Sequence, residues 1–297
     1  MGWLLYLIPL TFLLLFFFYP LAAIFGLSLA PEGALDLASL GQLVRTPYYL
    51  KTLWFTFWQA AVSTLLTLAL ALPGAHVFAR YRFRGKSLLL SLTTVPFVLP
   101  TIVVATAFSA LLGPRGLLND GLMRLFALET PPIQLEHTIW IILLAHVFYN
   151  YSIALRIISA FWANQTPAME EAARVLGADW RRVWTRVRLP LLAPAIAAAA
   201  SLVFIFCFTS FGVVLILGGP RFATLEVEVF RQARDLFNLP VAAALSIVQI
   251  GLMFGMMWVY TWLQKRTATT GQAQSEQSAQ RPPTTPRARL WVALNVG

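Results

Sequence analysis

Six apolar stretches, near residues 3–29, 52–79, 88–112, 138–161, 191–217 and 240–264, set what this chain can fold into. Each is long enough to cross a hydrocarbon layer of about 30 Å as a helix, which takes roughly 20 residues. The expected fold is all-α: a polytopic helical membrane protein with six transmembrane helices. Soluble domains are about a quarter charged, whereas this 297-residue chain is 59% hydrophobic and 11% charged, which leaves little room for a soluble enzyme domain.

The net charge of +10 raises nucleic acid as a partner, but the positions of the charges explain it otherwise. With the N-terminus in the cytoplasm, the inner segments hold fifteen of the 22 Lys and Arg residues and four of the 12 acidic ones. That asymmetry fits the positive-inside rule, so the charge reads as membrane topology, with anionic lipid as the neighbour and no nucleic acid. No basic residue precedes the first run, and it exceeds an ordinary signal core, so residues 1–30 read as an N-terminal anchor helix rather than a cleaved signal. Residues 51–265 read as a transmembrane domain of five spans, and residues 266–289, rich in Thr, Gln, Ser and Pro, as a flexible linker.

In the third run, Pro96 and Pro100 each remove a backbone donor, which predicts a bent or broken helix with Thr93, Thr94 and Thr101 near enough to satisfy freed carbonyls. The segment 113–137 is expected to hold a short interfacial helix. Residues 218–240 are expected to form a helix at the outer surface, with Glu226, Glu228, Arg231 and Arg234 offering both signs of charge to a partner.

Between the fourth and fifth runs lies a polar island, Glu171 to Pro190, reading EAARVLGADWRRVWTRVRLP, within a loop over 163–190. Thr166-Pro167 fits a helix start, with Glu170 and Glu171 near its positive end. Gly177 suits the left-handed turn that closes that helix and Asp179 suits the cap of a second, so two short helices at an angle are expected. In the second, Trp180, Val183, Trp184 and Val187 recur at helical spacing and leave an aromatic face to dock, on lipid headgroups or on a partner. Leu189-Pro190 marks re-entry into the bilayer.

Glu171-Ala172-Ala173, then Gly177, then Val187-x-Leu189-Pro190 resembles the cytoplasmic loop through which permease subunits of bacterial ATP-binding-cassette importers contact their ATPases. Val187 departs from the Ile usual there. Phe57-Trp58-Gln59-Ala60, the stretch Leu144 to Asn150, and Phe206 to Phe211 followed by Leu217-Gly218-Gly219-Pro220 resemble thiamine permeases, with ferric-iron permeases the nearest alternative.

The resemblance implies a binding-protein-dependent type I permease that imports a small solute, thiamine or its phosphates or ferric iron, by alternating access. A separate extracytoplasmic solute-binding protein would deliver the solute, and two cassette ATPase subunits would hydrolyse ATP. Glu171, Ala172, Ala173, Gly177, Asp179, Trp180, Leu189 and Pro190 would form the cytoplasmic coupling-helix loop. Such permeases usually carry two halves in one chain, and this sequence matches the N-terminal one. Residues 290–297 are therefore expected to begin a missing second half, or the chain to pair with a second permease half as a homo- or heterodimer.

Within the spans, Gln59, His146, Asn150, Thr209 and Ser210 are candidates to line a solute pathway, against the alternative of polar packing between helices. Arg156 is expected to reach inner headgroups. Gly251 and Gly255 form a G-x-x-x-G pair, expected to serve a close contact within the chain. No cofactor or metal is expected: Cys207 is the single cysteine, and the three histidines are scattered at 76, 137 and 146. Gly85-Lys86-Ser87 resembles the end of a phosphate-binding loop, but Arg80 stands where its first glycine belongs, so the ATPase must be another polypeptide. Of the competing classes, a membrane-bound enzyme would need a catalytic cluster at one bilayer face, and none is visible, while a non-transport structural membrane protein would not account for the coupling-loop pattern.

Overall fold

The computed structural model describes residues 2–30, 38–165 and 168–271, with the single positions 286, 288 and 290. Apolar runs become helices throughout. The first run forms α1 (Gly2–Leu13) and α2 (Tyr19–Leu29), joined by the π-wound turn Leu14–Phe18. Next come α3 (Ala38–Arg45), the long α4 (Pro47–Arg80), α5 (Lys86–Leu92), α6 (Val95–Val98), α7 (Thr101–Leu112) and α8 (Leu117–Phe126). They are followed by α9 (Ile139–Ala163), α10 (Ala168–Val175), α11 (Trp180–Arg182), α12 (Leu189–Phe208), α13 (Phe211–Leu217), α14 (Leu225–Phe230) and α15 (Leu239–Gly271).

Among the described residues, six helical stretches are long and apolar enough to cross a membrane: Tyr6–Ala23, Pro47–Arg80, Thr101–Phe126, Ile139–Ala163, Trp180–Phe208 and Leu239–Lys265. Their number matches the sequence reading, and the third differs in position. The run 88–112 is not one helix but α5, α6 and α7, because Pro96 sits in the first turn of α6 and Leu99-Pro100 is extended, with ψ of 139° and 135°. The fifth run, 191–217, is also broken. It stops at Phe208 and resumes at Phe211, with Ser210 at φ −86°, ψ 74°. No proline marks that break.

The chain divides into two compact units, residues 1–56 with 223–253 and residues 57–222 with 254–297. In the first, α14 appears where a surface helix is expected, yet Glu228 is buried and accepts hydrogen bonds from Tyr48 Oη at 2.7 Å and Gln232 Nε2 at 2.7 Å. That carboxylate is engaged internally rather than offered to a partner, since burial requires it to be hydrogen-bonded.

In the second unit α9 packs along α12, whose Ala195, Ala198 and Ala199 are buried, and α7 packs on α13. At that second contact a Cβ on Gly212 would run into Thr101 Oγ1. Arg156 is exposed and makes hydrogen bonds within the unit. Its guanidinium donates to Leu90 O at 2.5 Å and Thr94 Oγ1 at 2.6 Å, serving the carbonyl that the break between α5 and α6 releases. Among the described residues nothing lies within 4 Å of a Cβ placed on Gly251 or Gly255, so the close intrachain approach expected of that pair is not formed there. Finally, α15 runs to Gly271, into the stretch assigned to the linker, as no Pro or Gly interrupts it after Gly255. The rest of the linker and the run 290–297 lie outside the described residues apart from the three single positions.

Candidate functional site

The polar island begins with α10. Thr166-Pro167, the expected start, lies outside the described residues, and the helix is seen from Ala168. Its end is closed by Gly177 at φ +81°, a conformation that costs an L side chain but not glycine. Gly177 N donates to Arg174 O at 2.9 Å and Ala178 N to Ala173 O at 2.9 Å, the paired bonds of a Schellman closure. Asp179 then caps the next helix as expected, Oδ1 accepting from Arg182 N at 3.0 Å.

The second short helix is not separate, however. From Trp180 the chain winds without interruption through the π-wound turn Val183–Arg188 into α12, so Leu189-Pro190 lies within this continuous helical path, at the first turn of α12. Wider winding explains this: a π turn accommodates the donor missing at Pro190 without ending the helix.

The aromatic face also resolves differently along its length. Val183 is buried, and Trp184 packs 5.8 Å from the Trp162 ring and 6.5 Å from His76. Trp180 stacks on Trp184 and stays 58% exposed. Glu171 and Ala172 are exposed, as are Met169, Val175 and Leu176, the last two at 88% and 87%. Met169, Val175 and Leu176, apolar residues within a charged stretch of sequence, are not among the site residues expected from the sequence, and their exposure is seen only in the structure.

Beneath this face lies an ion cluster that the sequence reading missed. Glu170 is buried, accepting from Arg80 Nη2 at 2.5 Å on one oxygen and from Arg188 Nη2 at 2.7 Å on the other. Burial pushes its carboxyl pKa up, but the hydrogen bond from Arg188 and the charges of Arg80, Arg188 and Arg174 outweigh that and hold it below the usual carboxylate value. Arg188 Nε and Nη1 are buried without a hydrogen-bond acceptor among the described residues, and its guanidinium lies 4.7 Å from the Trp180 ring centroid and 5.4 Å from that of Trp184. Cation–π attraction offsets part of that desolvation.

Deeper in the same unit, the breaks before α7 and after α12 open a cavity of about 320 Å³. His146, Tyr149 and Asn150 of α9 line it with Thr209, Ser210 and Phe211 from the second break and Phe97, Leu99 and Thr101 from the first. Four of the five pathway candidates thus meet at one wall. His146 is held between hydroxyls, Nδ1 2.9 Å from Ser63 Oγ and Nε2 2.7 Å from Ser210 Oγ. Asn150 Nδ2 donates to His146 O at 2.9 Å, and Thr209 Oγ1 to Ile205 O at 2.9 Å.

Gln59 is the exception. It does not line the cavity but donates Nε2 to Cys207 O at 2.9 Å, a carbonyl whose helical donor, Phe211 N, has turned to Thr209 O. Its place is behind the wall, satisfying a backbone group that the break exposes. Tyr149 Oη is buried and has no hydrogen-bond partner among the described residues. Among those residues no group of three or more His, Cys, Asp or Glu is placed to hold a metal ion.

Residues 67–269 match the family described as binding-protein-dependent transport system inner membrane component. The putative 2-aminoethylphosphonate transport system permease protein PhnU of Salmonella paratyphi A is 30% identical over 267 residues, covering 90% of this chain and 92% of that protein. The thiamine transport system permease protein ThiP of Brucella abortus is 33% identical over 207 residues, 69% of this chain but 38% of that protein. Two crystal structures of a bacterial ABC transporter that imports the acidic polysaccharide alginate share the fold. One superimposes with a TM-score of 0.68 at 16% identity, covering 90% of this chain and 96% of that one. The other, in complex with an alginate pentasaccharide-bound periplasmic protein, gives 0.66 at 17% identity, with 92% and 96% covered.

Proposed function

Because the chain belongs to the binding-protein-dependent transport system inner membrane components, we propose that its loop over 163–190 is where separate cassette ATPases dock and drive solute through the cavity beside α9. It is an inner-membrane permease subunit of an ATP-binding-cassette importer, and ATP hydrolysis belongs to another subunit. The observation that carries the docking assignment is the row of exposed apolar residues Met169, Val175, Leu176 and Trp180 beside Glu171 and Ala172, on a loop otherwise rich in arginine. Gly177 and Asp179 fix the shape of that face, and Leu189-Pro190 continues it into a transmembrane helix.

The loop faces the cytoplasm, as the N-terminus does, residues 51–265 form the translocating domain and residues 1–30 serve as an anchor. A second permease half, a copy of this chain or another, supplies the second docking loop for two ATPase copies, and an extracytoplasmic binding protein delivers solute to the opposite face. His146, Asn150, Thr209 and Ser210 touch the solute as it passes, while Gln59 supports the wall.

The cargo is a small nitrogen-bearing organic solute. The relatives named for 2-aminoethylphosphonate and for thiamine both point there, since each compound carries a positively charged nitrogen, whereas the ferric-iron alternative gains no support from them. Phe97, Tyr149, Phe206 and Phe211 line the cavity and, among the described residues, no Asp, Glu, Lys or Arg does, which suits a cationic nitrogen held against rings. Vesicles containing the permease, its ATPase and its binding protein test this directly. Accumulation of labelled thiamine or 2-aminoethylphosphonate on ATP addition is expected; accumulation of ferric iron with neither of them would overturn the cargo assignment.

A further inference from the structure

The two adjacent glutamates of α10 have opposite surroundings: Glu171 is exposed on the docking face, and Glu170 is turned inward between two arginines. The arginines belong to different transmembrane helices. Arg80 is the last residue of α4, and Arg188 is the last residue before α12. Each carboxylate oxygen therefore holds one helix, and the side chains of Arg80, Glu170 and Arg188 are only 13%, 10% and 7% exposed.

Resting on the docking role assigned above to the loop, we propose that Glu170 is the positioning residue that transmits ATPase movement to the spans, by clamping the docking helix to the inner ends of α4 and α12 through Arg80 and Arg188. Charge-assisted hydrogen bonds in a protected site are short and directional, so a shift of α10 drags both guanidinium groups with it. The same two helices meet again at the pathway wall, roughly 30 Å along α4 from Arg80 at 1.5 Å per residue: Gln59, on α4, bonds to the carbonyl of Cys207, on α12, where α12 breaks beside the cavity. Arg188 is stiffened further by the Trp180 and Trp184 rings, so it moves with the second arm of the loop as well as the first. Any force applied at the exposed face thus reaches two helices through one carboxylate. Repacking between discrete arrangements of such a network is how a small shift at one site becomes a helix movement at another.

The test uses the assembled transporter in vesicles and reads three quantities: ATPase subunits recovered with the permease, ATP hydrolysed, and solute accumulated per ATP. Glu170→Gln should leave ATPase recovery near wild type and lower solute per ATP by roughly tenfold, within the range of measured coupling effects. The double variant Glu170→Gln/Arg80→Gln should lose no more than the worse single variant, because both break the same link. If Glu170→Gln does not accumulate in the membrane, Glu170→Asp, which keeps the charge but shortens the reach, should show the same signature at smaller size. Loss of ATPase recovery in parallel with uptake would make Glu170 a docking or merely structural residue and overturn the clamp, as would unchanged solute per ATP. Failure of the wild-type permease to recover any ATPase would instead defeat the docking assignment itself.

Discussion

Gly177 offers the sharpest test of how the loop is shaped, because its backbone and its surroundings make separate predictions. The residue sits at φ +81°, and among the described residues nothing lies within 4 Å of a Cβ built on it, so a small side chain pays only for its backbone. For Gly177→Ala that cost is about 1–2 kcal/mol, the penalty of a left-handed conformation with a Cβ. Such a cost lowers the ratio of closed to opened loop by roughly 5- to 30-fold. Gly177→Asn should lose less, since Asn tolerates this region. Gly177→Pro is different in kind. Its ring fixes φ near −65°, and it lacks the N–H that now reaches Arg174 O at 2.9 Å, so the closure of α10 cannot form. Uptake by vesicles bearing the full transporter should therefore fall in the order Gly, Asn, Ala, Pro, while membrane insertion stays intact. Uptake and ATPase recovery at wild-type level in the Pro variant would refute the reasoning. So would equal damage from Ala and Pro, which would mean that a contact with the side chain, rather than φ, is what matters.

The Glu170 carboxyl, held below its usual value of 4.5, contributes stability that is complete above that pH and is lost as the pH falls through the lowered native value. Glu170→Gln should accordingly destabilise the detergent-solubilised protein at pH 7 by about 3 kcal/mol, as when one partner of a buried ion pair is removed. The gap in thermal unfolding between wild type and variant should close on acidification. Gln59→Leu strands the Cys207 carbonyl at the break and should cost about 1–3 kcal/mol in unfolding, with a loss of uptake. Gly212→Ala forces α7 and α13 apart at Thr101 and should cost about 1–3 kcal/mol, part of which the added Thr101→Ala change restores. Both are measured by thermal unfolding beside wild type, and a Gly212→Ala protein as stable as wild type would remove the close approach.

The helix count, the break at Pro96 and Pro100, the Gly177 turn and the Asp179 cap were all legible in the sequence. Each is set by apolar length or by the φ and donor chemistry of a residue and its immediate neighbours. The second break, at Thr209-Ser210, was not, because no proline signals it and Gln59, 148 residues away from Cys207, takes up the freed carbonyl. The pathway candidates could be named as polar residues in apolar runs, but which of them share a wall depended on how α9, α12 and α13 pack.

For the docking loop, the order of Glu171, Ala172, Ala173, Gly177 and Leu189-Pro190 carried the family resemblance without any coordinates. What tertiary structure alone decided is the inward turn of Glu170. Two acidic neighbours in one helix are equivalent by local propensity, and only the arrival of Arg80 and Arg188 from other parts of the chain makes burial of one of them favourable. Local chemistry fixes where helices begin, bend and end; the partners of a buried charge lie far off in sequence, and packing chooses them.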